Sequence, residues 1–186
     1  MPNLAVQKIP QMKTILLTTV IFFFVNCQLS IVNSFAQTPV KPYNENQDIR
    51  ADLKKALEQA KKENKNVLIQ LGGNWCSWCM RFHALVNGTP KVDSLMKENY
   101  IYFLLNVPQQ KDKRDYEIFK EFEYPNRFGY PVFVILDKNG KRLNTQDSDA
   151  FEYFNPNVKG YDTTKVVRFL TLWTPKALAP ATYQKK

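Results

Sequence analysis

Cys76-Ser77-Trp78-Cys79 sets two thiols three positions apart in a chain whose remaining cysteine is Cys27. The pair falls at a change of structure. Asn66 to Leu71 (NVLIQL) is a short apolar run with the character of a buried strand, and Gly72-Gly73-Asn74 turns the chain. Trp75 to Asn87 (WCSWCMRFHALVN) has the spacing of a helix that Gly88-Thr89-Pro90 stops. The first turn of a helix carries backbone N–H groups with no intrahelical partner, so it favours an anion. A thiolate at Cys76 is such an anion, and its pKa is expected to fall below the free value of about 8.5. A lower pKa gives more nucleophile at neutral pH and a better leaving group. Cys79, one turn along, is within reach to resolve a mixed disulfide formed at Cys76. Dithiol–disulfide exchange is therefore the leading chemistry. Two rivals stand beside it. An inert bridge across two residues closes too small a loop to restrain the unfolded chain much. A metal site needs ligands beyond two sulfurs, and the sequence holds one histidine.

That histidine, His83, lies four residues after Cys79, on the same side of the expected helix. It reads either as a proton relay for the thiols or as a packing or surface residue, and the second reading is preferred. Trp75 reads as packing against the active-site loop. Trp78, between the cysteines, reads as the more exposed ring and a candidate substrate contact.

The surrounding elements alternate. Residues 37–48 are polar and proline-bearing, a linker-like lead-in. Ile49 to Asn64 is amphipathic at helical spacing, with Asp48 placed to cap it and lysines at its end. Val92 to Asn99 is a short helix, Tyr100 to Val107 a buried strand, and Asp112 to Glu123 a charged helix. Pro131 to Asp137 is a third strand, and Lys138-Asn139-Gly140-Lys141 a hairpin turn. Residues 141–160 have no clear period. Thr164 to Thr174 is a closing helix, and 175–186 reads as a flexible tail. The order implies an α/β fold, with helices around a mixed sheet.

Trp75-Cys76-Ser77-Trp78-Cys79, the strand before it, and Gly129-Tyr130-Pro131 leading into Val132-Phe133-Val134-Ile135-Leu136-Asp137-Lys138-Asn139-Gly140 together resemble the thioredoxin superfamily. The WCxWC form looks most like its secreted bacterial members. The resemblance spans roughly residues 45–175, with the domain placed at 49–174. It implies a thioredoxin fold: a central mixed β-sheet flanked by helices on both faces. It implies catalytic, redox-active Cys76 and Cys79, and a cis Pro131 facing them. The Tyr130 backbone is then free to pair with a substrate chain. Trp75, Trp78, Tyr130 and Pro131 form the substrate-binding or supporting set. It also implies no metal or organic cofactor, protein thiols or disulfides as partners, a recycling redox partner that is membrane-embedded if the chain is a reductant, and a monomer. The sequence departs from the family at Gln70, where many thioredoxins carry a buried acid, and at Ser77-Trp78, which leaves oxidant and reductant both open.

Ile15 to Val25 is an uncharged, mostly apolar run of 11 residues, preceded by Lys13 and followed by Ser34-Phe35-Ala36. It reads as a secretory signal on residues 1–36 with Met12 as an alternative start; it is short for a membrane span of about 20 residues. Cleavage after Ala36 would remove Cys27 and leave 24 basic and 17 acidic residues, a net charge of +7. The expected location is the periplasm or outside the cell, with an uncleaved inner-membrane anchor as the rival. The dispersed lysines give no reason to infer nucleic-acid binding. A composition 44% hydrophobic and 23% charged excludes a disordered chain. Two functional alternatives to the exchange enzyme remain: a redox-inactive binding or assembly module on the same fold, and a membrane-anchored electron-transfer protein.

Overall fold

A computed structural model describes residues 41–155 and 157–183. The expectations for residues 1–36, Cys27 included, lie outside them. No helix among the described residues is long and apolar enough to cross a membrane.

Helix α1 (Ile49–Glu63) starts where the Asp48 side chain accepts from the Ala51 N–H at 3.1 Å. It ends at Asn64, which adopts a left-handed conformation (φ 55°). Strand β1 (Asn66–Gly72) follows, buried along its whole length. Next come α2 (Ser77–Gly88), α3 (Pro90–Asn99) and β2 (Tyr100–Asn106). The spacing predicts one helix over 112–123, but the structure divides that stretch. Lys111–Lys113 is a single 3₁₀ turn, and α4 (Tyr116–Glu121) begins afresh because Asp115 caps the Ile118 N–H. Strands β3 (Val132–Leu136) and β4 (Arg142–Asp147) form a hairpin turned at Gly140, whose φ of 86° suits a residue without a side chain. Helix α5 (Thr163–Leu172) is capped by Asp162.

The sheet order is β2-β1-β3-β4. β1 pairs parallel with β2 and antiparallel with β3; β3 pairs antiparallel with β4. Alternation along the central strands splits the core into two layers. Val67, Ile69, Leu71, Val132 and Val134 face α1 and α4. Leu68, Phe133 and Ile135 face α2, α3 and α5. The sheet is thus covered on both faces, a thioredoxin fold. Because β1 is flanked on both edges and both faces, its sequence is apolar apart from Asn66 at its start and Gln70.

Three further stretches depart from the sequence expectation. Residues 41–48 do not behave as a linker: Tyr43 is 2% exposed, and Gln47 spans the rim of β2, donating to the Leu104 carbonyl and accepting from the Asn106 N–H, each at 3.0 Å. Residues 141–160, which have no clear period, contribute β4, a 3₁₀ turn (Asp149–Phe151) and a bridge between Glu152 and Tyr161. They bury Phe151, and Tyr161 just after them is buried with it, against α2 and α5. Beyond α5, Pro175–Leu178 forms a short helix, α6, with the Thr174 hydroxyl accepting from the Ala177 N–H at 3.0 Å. The beginning of the expected tail is therefore ordered by a cap.

Candidate active site

Cys76 is the N-cap of α2, and its Sγ accepts from the Cys79 N–H at 3.1 Å. The leading sulfur therefore lies on the exposed end of the helix's backbone donors, where a negative charge gains about 0.3–1 kcal/mol, and up to about 2 in partly buried settings. Cys76 and Cys79 are joined as a disulfide with Cα atoms 5.2 Å apart. The two are unequal: Cys76 retains 6% exposure and Cys79 has none. An incoming thiolate can approach only the first.

The loop that presents the pair is held from several sides. The Cys76 N–H donates to the Gly73 carbonyl at 3.0 Å, and the Val107 N–H donates to the Gly72 carbonyl. Trp75 Nε1 donates to the Val107 carbonyl at 2.8 Å, so the indole lies over the end of β2 while its ring stays 40% exposed. Trp78 is half-buried, edge-on to Tyr161 at 5.2 Å, with the Arg81 guanidinium 4.9 Å above its ring. The expected exposures of the two tryptophans are thus reversed. Trp75 offers the open face and Trp78 packs, because Tyr161, just beyond the 141–160 segment, lies against it.

Opposite the sulfurs, the Tyr130–Pro131 peptide bond is cis, and Tyr130 packs beside the cysteines. Its ring stands edge-on to Trp75 at 5.6 Å, with the Arg114 guanidinium 5.6 Å away. Trp75, Cys76 and Tyr130 therefore form one cluster, and Pro131, next after Tyr130, is buried. His83 does not join it. The imidazole stacks on Tyr102 at 6.3 Å, and its Nε2 meets the Asn87 side chain at 3.2 Å. Burial lowers its pKa below the ordinary 6.5. No hydrogen bond links it to either sulfur among the described residues.

Beneath Cys79 the sheet face is polar at one point and empty at another. Gln70 and Gly72 follow Leu68 on the side facing α2. Gly72 has no side chain because a sulfur fills the space: a Cβ there would lie 2.4 Å from Cys79 Sγ and 2.9 Å from the Tyr43 hydroxyl. Gly72→Ala is therefore expected to destabilise the oxidised protein by about 1–3 kcal/mol, the cost of forcing extra volume into a filled core. Urea unfolding with an unchanged denaturant slope would measure it. Gln70 is fully buried and fully engaged. Its Nε2 donates to the Tyr43 hydroxyl at 2.6 Å and to the Cys79 carbonyl at 3.0 Å, and its Oε1 accepts from the Tyr102 hydroxyl. An amide thus occupies the position where the resemblance led one to look for an acid.

Tyr43 is the site residue the sequence pattern misses. It belongs to the lead-in, yet the Asn74 side chain clamps its main chain, accepting from the Tyr43 N–H at 3.1 Å and donating to its carbonyl at 2.9 Å. An aromatic residue in an otherwise polar segment is the one local signal of its burial.

A family model described as thioredoxin-like matches residues 48–138, the span that carries the CxxC pair and the cis proline. The fold is thioredoxin-like. A disulphide isomerase from Xylella fastidiosa Temecula1 overlays this thioredoxin-like chain with a TM-score of 0.61 at 22% identity, covering 72% of this chain and 97% of its own. That overlay supports the fold. A DsbH oxidoreductase (TM-score 0.42, 20% identity, 78% and 96% covered) and the C-terminal domain of Neisseria meningitidis DsbD in the oxidised form (0.44, 20%, 66% and 93%) align with lower scores. A comparison with curated protein sequences gave no match. Among the described residues of this thioredoxin-like chain, no group of three or more His, Cys, Asp or Glu side chains is placed to hold a metal ion.

Proposed function

We propose that the protein is a thiol–disulfide oxidoreductase that exchanges the Cys76–Cys79 pair with protein thiols and disulfides in the cell envelope. One observation carries the reading. The bridge sits at the mouth of α2 with its leading sulfur hydrogen-bonded to the helix, the Cys76 residue slightly exposed and Cys79 sealed. A structural bridge has no need of that asymmetry.

In the reducing direction the Cys76 thiolate attacks one sulfur of a substrate disulfide. The substrate's S–S bond breaks, its other sulfur leaves with the electron pair, and a Cys76–substrate disulfide forms. The Cys79 thiolate then attacks Cys76 Sγ, expels the second substrate thiolate and closes the bridge. The substrate gains two electrons and the pair loses them. In the oxidising direction the same steps run backwards. Trp75 and Tyr130 border Cys76 and serve as the substrate-facing surface, and the buried Pro131 supports it. An apolar run at residues 15–25 and the small residues up to Ala36 support export to the periplasm or beyond. A recycling partner resets the pair after each turnover.

Turnover of insulin disulfides with dithiothreitol, by the chain beginning at Gln37, tests the reading. The wild type is expected to accelerate reduction and Cys76→Ser to lose that acceleration entirely. Equal rates would overturn it in favour of a redox-inactive binding module.

A further inference from the structure

Gln70 has one amide nitrogen and one amide oxygen, and its surroundings fix which way they point. The Cys79 carbonyl can only accept, so the group facing it at 3.0 Å must be Nε2. The same nitrogen faces the Tyr43 hydroxyl at 2.6 Å. Tyr43 is therefore the acceptor of that bond, and its own proton is not directed at Gln70. Tyr102 has the opposite role, since it faces Oε1 and must donate. The two tyrosines are alike in chemistry and opposite in polarity. Tyr43 is the one beside sulfur: its hydroxyl and Cys79 Sγ converge on the point a Gly72 Cβ would occupy.

We infer that Tyr43 is a positioning residue for the exchange chemistry, its hydroxyl donating a hydrogen bond to the Cys79 thiolate whenever the bridge is open. The inference rests on the exchange reading above. When a substrate thiolate attacks Cys76 Sγ, the Cys76–Cys79 bond breaks and Cys79 Sγ leaves with the electron pair, fully buried. A buried anion without a donor is costly. The Tyr43 hydroxyl supplies one. It does not act as a base, because burial holds it protonated throughout the ordinary pH range. The titratable groups around Cys79 are Cys76 on the same turn, Tyr43 from the lead-in, Tyr102 through Gln70, His83 one turn on and Tyr161 from beyond β4. Among the described residues no carboxylate joins them.

The test reads ionisation and needs no substrate. In Cys76→Ser, Cys79 is the single thiol of the chain beginning at Gln37, and its thiolate absorbance near 240 nm gives its pKa. Adding Tyr43→Phe is expected to raise that pKa by about one unit, a tenfold loss in ionisation constant. Adding Tyr102→Phe, which removes the hydroxyl on the far side of Gln70, is expected to leave it unchanged. A pKa that does not move in Tyr43→Phe, or that moves equally in both, overturns the inference. A second readout avoids altering the network. In Cys76→Ser carrying ¹³Cζ-labelled tyrosine, one ring resonance is expected to shift in step with Cys79 ionisation, and static resonances would overturn the inference equally. Failure here leaves insulin turnover unaffected, whereas failure of turnover leaves the ionisation comparison intact.

Discussion

Cys79→Ser is expected to convert the protein into a trap. Cys76 keeps its place at the head of α2, with the backbone N–H of residue 79 still available to its sulfur, so attack on a substrate disulfide proceeds. The second step has no nucleophile. A Cys76–substrate disulfide then accumulates and migrates as a heavier band without reductant and as the free chain with it. Wild type forms the same intermediate, but Cys79, one turn away with Cα atoms 5.2 Å apart, clears it. The expected difference is nearly complete: stable adduct in the variant, almost none in the wild type or in Cys76→Ser. An adduct that forms equally in Cys76→Ser would assign the attacking role to the other sulfur and reverse the order of the mechanism.

Phe82→Ala is expected to cost about 3–5 kcal/mol. Phe82 lies two turns into the helix that carries the cysteines and is completely buried. Its ring meets Phe133 of β3 at 4.3 Å, Tyr161 at 5.5 Å and Phe151 at 6.4 Å. Truncation leaves a cavity among rigid rings that cannot collapse to fill it. Against a typical domain stability of about 5–15 kcal/mol the loss is large. It should appear as a lower urea midpoint with an unchanged slope. A change below about 1 kcal/mol would mean that α2 is held to the sheet by something other than this cluster.

Much of this arrangement is legible in the sequence because it is local. The Asp48 cap, the α1 period, the apolar β1 run and the turn ahead of Cys76 each lie within a few residues of what they determine. What escapes is long-range. Tyr43 meets Asn74 across 31 residues and Gln70 across 27, and nothing near Tyr43 in the chain announces either partner. The exposures of Trp75 and Trp78 are set by Val107 and Tyr161, which lie far along the chain. The division of 112–123 follows from Asp115, whose capping role competes with a continuous apolar stripe. Gln70 is visible in the sequence as a departure, but its meaning appears only with the two hydroxyls around it.

The clamp between Asn74 and Tyr43 bears on how the protein can be shortened. A fragment cut at Ile49, where the first helix begins, would retain every strand and both cysteines. It would lose Tyr43, and with it the ring that closes the underside of the bridge, and Gln47, which satisfies the rim of β2. Such a fragment would keep the fold's outline while opening a wet hole under the sulfur meant to stay sealed. The working boundary of this domain therefore lies upstream of its first regular element, at or before Tyr43.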